Sequence, residues 1–94
     1  PVKVLMMRLY YELNYIEEGF SLIDSFSHFI TSNKKIRTDE KNSYLNFLSY
    51  YREILKAKTG GKNGRLPEKL KEKLAAASLL PHKSWLIEKA GEFR

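Results

Sequence analysis

Residues 16–32 read IEEGFSLIDSFSHFITS, and this stretch decides the fold class. Ile16, Phe20, Ile23 and Ile30 recur at helical spacing and share one face. Leu22, Phe26 and Phe29 form a second stripe beside it. A helix apolar over so wide an arc is covered on two sides, so the segment predicts a helix stacked between neighbours. Gly19 falls inside it at a cost of ~1 kcal/mol relative to alanine. Its missing side chain would let a neighbouring helix come close.

The flanking segments carry the same periodicity. Val2, Leu5, Met6, Leu9 and Leu13 lie three and four apart and mark a first helix, which Asn14 and Tyr15 interrupt. Val4, Met7, Tyr10 and Tyr11 occupy much of its opposite side. One packed neighbour covers only one of these faces, so the other is expected to stay bare until it meets an upstream helix or a partner. Downstream, residues 33–37 read as a connection, with Lys34 and Lys35 placed to meet the negative end of the preceding helix. Thr38 is the expected N-cap of a third helix, and Asp39 and Glu40 follow in its first turn, where negative charge suits the helix dipole. Its stripe is Tyr44, Phe47, Leu48, Tyr51, Ile54 and Leu55, and the helix is expected to end near Lys56. Asn42, Asn46, Ser49, Arg52 and Glu53 make its polar side.

Gly60, Gly61 and Gly64 then define one loop across residues 56–65. Pro67 suits the first turn of a fourth helix, which places Leu66, Leu70, Leu74 and Ala77 on one face. Pro81 precedes a short fifth helix from His82 to Phe93 whose apolar contacts are Trp85, Leu86, Ala90 and Phe93. No run alternates with period two. The expectation is an all-α domain of about five antiparallel helices joined by short breaks.

Composition narrows the function classes. Ninety-four residues with 43% apolar content make one globular domain without room for a large internal pocket. The absence of cysteine excludes a disulfide framework and thiolate zinc sites, and fits the cytoplasm. No apolar run approaches the ~20 residues that span a bilayer. The net charge of +6 sits entirely in the second half: residues 1–50 hold six cations and six anions, and residues 51–94 hold eleven and five. A basic stretch of this kind either meets an anionic partner or forms a solvated face.

The residues that carry chemistry elsewhere lack their partners here. Gly60-Gly61-Lys62-Asn63-Gly64 does not match the phosphate-loop spacing, and no strand precedes it. His28 and His82, the only histidines, have no metal-binding pattern around them. His28, on a wide-faced helix, is expected to be partly buried and hydrogen-bonded. Ser25 and Ser27 have no identifiable activating base, and Glu17, Glu18 and Asp24 read as a solvated helix face. Tyr10, Tyr11, Tyr15, Tyr44, Tyr50 and Tyr51 suit seams between stacked helices better than a peptide groove, because they follow the core periodicity. The cations Arg52, Lys56, Lys58, Lys62, Arg65, Lys69, Lys71 and Lys73 are interleaved with Glu68 and Glu72, which favours a solvated face over nucleic-acid binding. No catalytic, cofactor-binding or metal residue is assigned.

Three stretches, Arg8-Leu9-Tyr10-Tyr11-Glu12-Leu13, Leu22-Ile23-Asp24-Ser25-Phe26 with Asn33-Lys34-Lys35, and Tyr44-Leu45-Asn46-Phe47 ending in Arg52-Glu53-Ile54-Leu55, carry a family likeness. Together with the tail Lys83–Ala90, they make the chain resemble the C-terminal part of an uncharacterised bacterial family of tetratricopeptide-like proteins. The likeness does not extend to Gly60–Gly64. It implies an α-α superhelix with no catalytic residue and no cofactor, and gives Asn33 and Asn46 a role in holding turns or neighbouring backbone.

The reading from sequence is therefore a non-catalytic helical-repeat scaffold or protein-interaction module, with self-association through the first helix among its expected contacts. The alternative is a basic helical nucleic-acid-binding domain. Because the chain opens on Pro1 and passes at once into a periodic segment, it is expected to be the C-terminal fragment of a longer repeat protein. Its last two helices, rich in lysine and glutamate, suit an end cap.

Overall fold

The computed structural model describes residues 2–93, apart from the side chain of residue 62. Five helices follow one another: α1 (Val2–Glu12), α2 (Ile16–Ser32), α3 (Thr38–Lys58), α4 (Glu68–Ala76) and α5 (Lys83–Ala90). A 3₁₀ turn, Gly61–Gly64, lies between α3 and α4. Among the described residues there is no strand. The all-α reading holds.

The helices alternate in direction. Gly19 lies against Tyr51 and Leu55, and Phe26 against Tyr44, so α2 and α3 run antiparallel. Lys3 lies over Phe29, and Tyr10 meets Tyr15, which gives α1 and α2 the same relation. Lys71 Nζ reaches the Phe93 carbonyl while Lys83 Nζ reaches Ala75 and Ala77, so α4 and α5 form a further antiparallel pair. The last helix then returns to the first. His82, Trp85 and Lys89 of the α5 segment meet Arg8, Tyr11 and Glu12 in the same order, so α5 lies parallel to α1.

The core follows from these pairings. Gly19, Ile23, Phe26 and Ile30 form the buried face of α2. Phe47, Leu48, Tyr51, Ile54, Leu55 and Ala57 form that of α3. Tyr51 lies at the centre, stacked on Phe47 at 5.8 Å and on Trp85 at 6.1 Å. Leu66, Leu74, Leu86 and Ala90 close the base. Each fully buried side chain of this size contributes about 1.5–3 kcal/mol. Gly19 makes the close approach its position predicts: a Cβ built there stands 2.9 Å from Leu55 Cδ2.

Helix ends depart from the sequence reading by a few residues, each for a local reason. The N-cap of α3 is Arg37, not Thr38; its extended backbone precedes Asp39, whose carboxylate binds the Arg37 guanidinium at 2.6 Å and accepts the Glu40 amide. The helix runs two residues beyond Lys56, because Ala57 is buried and Gly60, at φ 89°, supplies the left-handed residue that ends it. Pro67 is the residue before α4 rather than inside it. α5 begins after His82, which adopts φ 55°, and stops at Ala90. At the C-terminus of α2 the carbonyls of Ser27 and His28 are met by the Thr31 and Ser32 hydroxyls, not by Lys34 or Lys35. Asn33 holds its turn as expected, accepting the Lys35 amide at 3.0 Å, whereas Asn46 faces solvent.

Candidate functional site

The outward face of α1 gathers five of the exposed large apolar side chains that the core does not consume. Val4, Met7 and Tyr11 are buried, with Val4 and Met7 at 0% exposure. Val2, Leu5, Leu9 and Leu13 are 71, 56, 54 and 49% exposed, and Met6 is 37% exposed. At about 100° per residue the two sets are centred on opposite sides of the helix. The first stripe named from the sequence is thus the solvent face, and the aromatic-bearing side is the core.

Three elements account for the remaining arc. Lys3 and Tyr10 turn toward α2, with the Lys3 ammonium 4.7 Å from the Phe29 ring and the Tyr10 ring 6.1 Å from that of Tyr15. Arg8 and Glu12 turn toward α5: the Arg8 guanidinium lies 5.5 Å over Trp85 and donates to His82 Nδ1 at 3.1 Å. Behind the helix, Tyr51 donates to the Met7 carbonyl at 2.6 Å. Among the described residues α1 is thus packed on three sides and leaves an apolar stripe exposed on the fourth.

Two grooves border this ridge. On the α2 side, Tyr10, Glu17, Glu18, Ser21, Leu22 and Ser25 line about 460 Å³. On the α5 side, Arg8, Leu80, His82, Lys83, Ser84, Trp85 and Glu88 line about 520 Å³. The first is acidic and the second basic at its Arg8–Lys83 edge. Because Arg8 can only donate, the His82 imidazole accepts through Nδ1 and is neutral. Its burial, followed by the nearby Arg8 charge, lowers its pKa.

At the C-terminal end of α1 a polar cluster ties the helix down. Lys89, almost fully buried, pairs with Glu12 at 2.6 Å, Glu88 at 3.2 Å and Glu92 at 3.6 Å. The hydrogen bond from Lys89 lowers the Glu12 pKa and raises that of Lys89. Lys58 donates to the Tyr11 carbonyl and lies 3.9 Å from the centre of the Tyr11 ring. Burial raises the Tyr11 pKa, with Glu92 adding to it.

The other residues weighed from sequence fall away from one another. His28 is exposed, contrary to expectation, because it lies opposite the Ile23–Ile30 side of α2. Ser25 donates to the Leu22 carbonyl at 3.3 Å. The glycine turn packs back on α3, where a Cβ on Gly61 would stand 2.9 Å from the Lys56 carbonyl; the Lys62 side chain lies outside the described residues. Among the described residues no three His, Cys, Asp or Glu side chains gather as a metal site, and no helix is long and apolar enough to cross a membrane. Three of the six tyrosines occupy seams, Tyr11 against Trp85 edge-on at 5.4 Å, Tyr44 against Phe26 at 5.7 Å and Tyr51 against Trp85 at 6.1 Å, whereas Tyr15 is 47% exposed.

Four of the eight cations of the basic stretch are engaged within the chain. Lys58 and Lys71 donate to the main-chain carbonyls of Tyr11 and Phe93, Arg52 pairs with Asp24 at 3.5 Å, and Lys56 pairs with Glu53 at 3.5 Å. Lysines near helix C-termini are a legible signal within one helix, but these join residues 47 and 22 positions apart. No family model, no curated protein and no solved structure matches the chain.

Proposed function

We propose that the chain is a non-catalytic helical interaction module, of the kind used in tetratricopeptide-like scaffolds, and that it docks an apolar helical surface on α1. The observation that carries this reading is the Val2–Leu5–Met6–Leu9–Leu13 stripe, exposed on a helix whose other sides are already packed. Alternating antiparallel helices, with α2 packed between α1 and α3, are the geometry of such scaffolds. The free face of α1 is where a further helix of a stack, or a helix of a separate protein, gains the burial that α1 lacks. The cysteine-free composition suits a cytoplasmic module.

Photo-cross-linking from single positions tests this. A cross-linker at Leu5 should capture protein, whereas one at exposed Asn42 on α3 should not. Equal capture from both, or none from Leu5, would contradict the reading. Retention on DNA that weakens steeply with salt would instead favour the basic nucleic-acid-binding alternative.

A further inference from the structure

We infer that the occupant of the α1 face is a second copy of this chain, packed as a parallel pair about a two-fold axis that runs along α1. The inference rests on the reading of α1 as a docking face and names its partner. The charge of the stripe's borders carries it, and the small size of the stripe requires those borders to take part.

α1 has 11 residues, which gives a strip about 16 Å long and 10 Å wide. That is well short of the roughly 800 Å² per partner of a standard interface. A stable pair must therefore also engage the edges of α2 and α5. Those edges are complementary. Glu17 and Glu18 on the α2 edge have no cation partner among the described residues. Among the described residues Arg8 and Lys83 on the α5 edge have no carboxylate partner: Arg8 donates to His82, Lys83 to the carbonyls of Ala75 and Ala77, and the carboxylates on the same edge, Glu12 and Glu88, pair with Lys89. The Tyr10–Tyr15 contact and the Arg8–His82 contact place both edges at the same level along α1.

Symmetry then selects the orientation. A two-fold axis along α1 sets the Glu17–Glu18 edge of each copy against the Arg8–Lys83 edge of the other, twice over. An antiparallel pair, with the axis across α1, brings like edges together and is repelled at both. The parallel pair is isologous and closed, so it stops at two copies. Val2, Leu9 and Leu13 then lie near their own counterparts along the seam, while Leu5, on the α5 side of the stripe, faces Met6 of the other copy, on its α2 side.

The chain has no cysteine, so introduced thiols report the arrangement without background. Val2→Cys and Leu13→Cys alter exposed side chains at the two ends of the stripe and should leave the fold intact, which circular dichroism checks. In the parallel pair each variant forms a disulfide dimer by itself under mild oxidation. Sedimentation equilibrium of the unmodified chain should show a monomer–dimer equilibrium that Glu17→Lys with Glu18→Lys weakens by about tenfold or more, since like charges then face each other across the seam. Disulfide formation only when the two cysteine variants are mixed would show an antiparallel pair and overturn the inference. A wild-type chain that stays monomeric at millimolar concentration would overturn it too, while hetero-protein capture from Leu5 would still stand for the docking reading. An equilibrium untouched by the charge reversal would overturn the charge argument that selects the parallel pair.

Discussion

The Tyr51 hydroxyl donates to the main-chain oxygen of Met7 at 2.6 Å inside the core, fastening the middle of α3 to the middle of α1. Its ring is shared between Phe47 and Trp85. Tyr51→Phe keeps the stacking and loses the hydrogen bond, which should cost about 1 kcal/mol. Tyr51→Ala should cost about 3–5 kcal/mol. Urea unfolding measures both, and equal losses would mean that the hydroxyl, not the ring, does the holding.

Gly19 sets the spacing between α2 and α3. Alanine would gain about 1 kcal/mol of helix propensity. Its Cβ, however, would stand 2.9 Å from Leu55 Cδ2 and 3.2 Å from the Tyr51 hydroxyl. Leu55 is fully buried and Tyr51 is tied to Met7, so neither retreats freely. Overpacking of about 1–3 kcal/mol should outweigh the gain. Gly19→Ala is expected to lower the urea midpoint; a rise would show that Leu55 has room to turn.

Leu79 adopts a left-handed conformation, φ 50°, while 80% exposed. Its side chain buries little to offset a backbone strain of about 1–2 kcal/mol. Leu79→Gly is expected to raise the thermal midpoint or leave it unchanged, despite the added freedom of the unfolded chain. A clear loss of stability would mean that Leu79 makes a contact in solution.

His82 makes the α5 junction acid-sensitive. Its pKa is lowered in the folded protein by burial and by Arg8, so the unfolded chain takes up the proton first. Stability is therefore full above the unfolded pKa of about 6.5 and is lost as pH falls through the lower folded value. His82→Asn tolerates the left-handed backbone and cannot titrate. Between pH 7 and 5 the wild-type midpoint should fall more than that of His82→Asn. Parallel falls would place the acid sensitivity elsewhere.

Much of the fold is legible because its periodicity is unambiguous. α2 spans the predicted residues, and the α3 stripe is buried from Phe47 to Leu55 with Tyr44 at its edge. Helix α1 resists the same reading because both of its sides are apolar. Periodicity marks two stripes but does not choose between them. The choice is made by partners distant in sequence: Tyr51 at Met7, and Trp85 and Lys58 at Tyr11. Spacing gives no sign that α5 returns to α1, or that Lys58, Lys71 and Lys83 serve main-chain carbonyls. The end of α3 is set by the left-handed Gly60 rather than by Lys56, where the sequence reading places the start of the loop.

The adjacent methionines Met6 and Met7, the only two in the chain, are about 100° apart around α1, Met6 on the solvent side at 37% exposure and Met7 in the core at 0%. Their methyl resonances, followed with a water-soluble paramagnetic probe across a dilution series, test the account most directly. The Met6 methyl should be broadened at low concentration and protected at high concentration, with Met7 protected throughout. Broadening of Met7, or a Met6 signal with the same accessibility at every concentration, would contradict it.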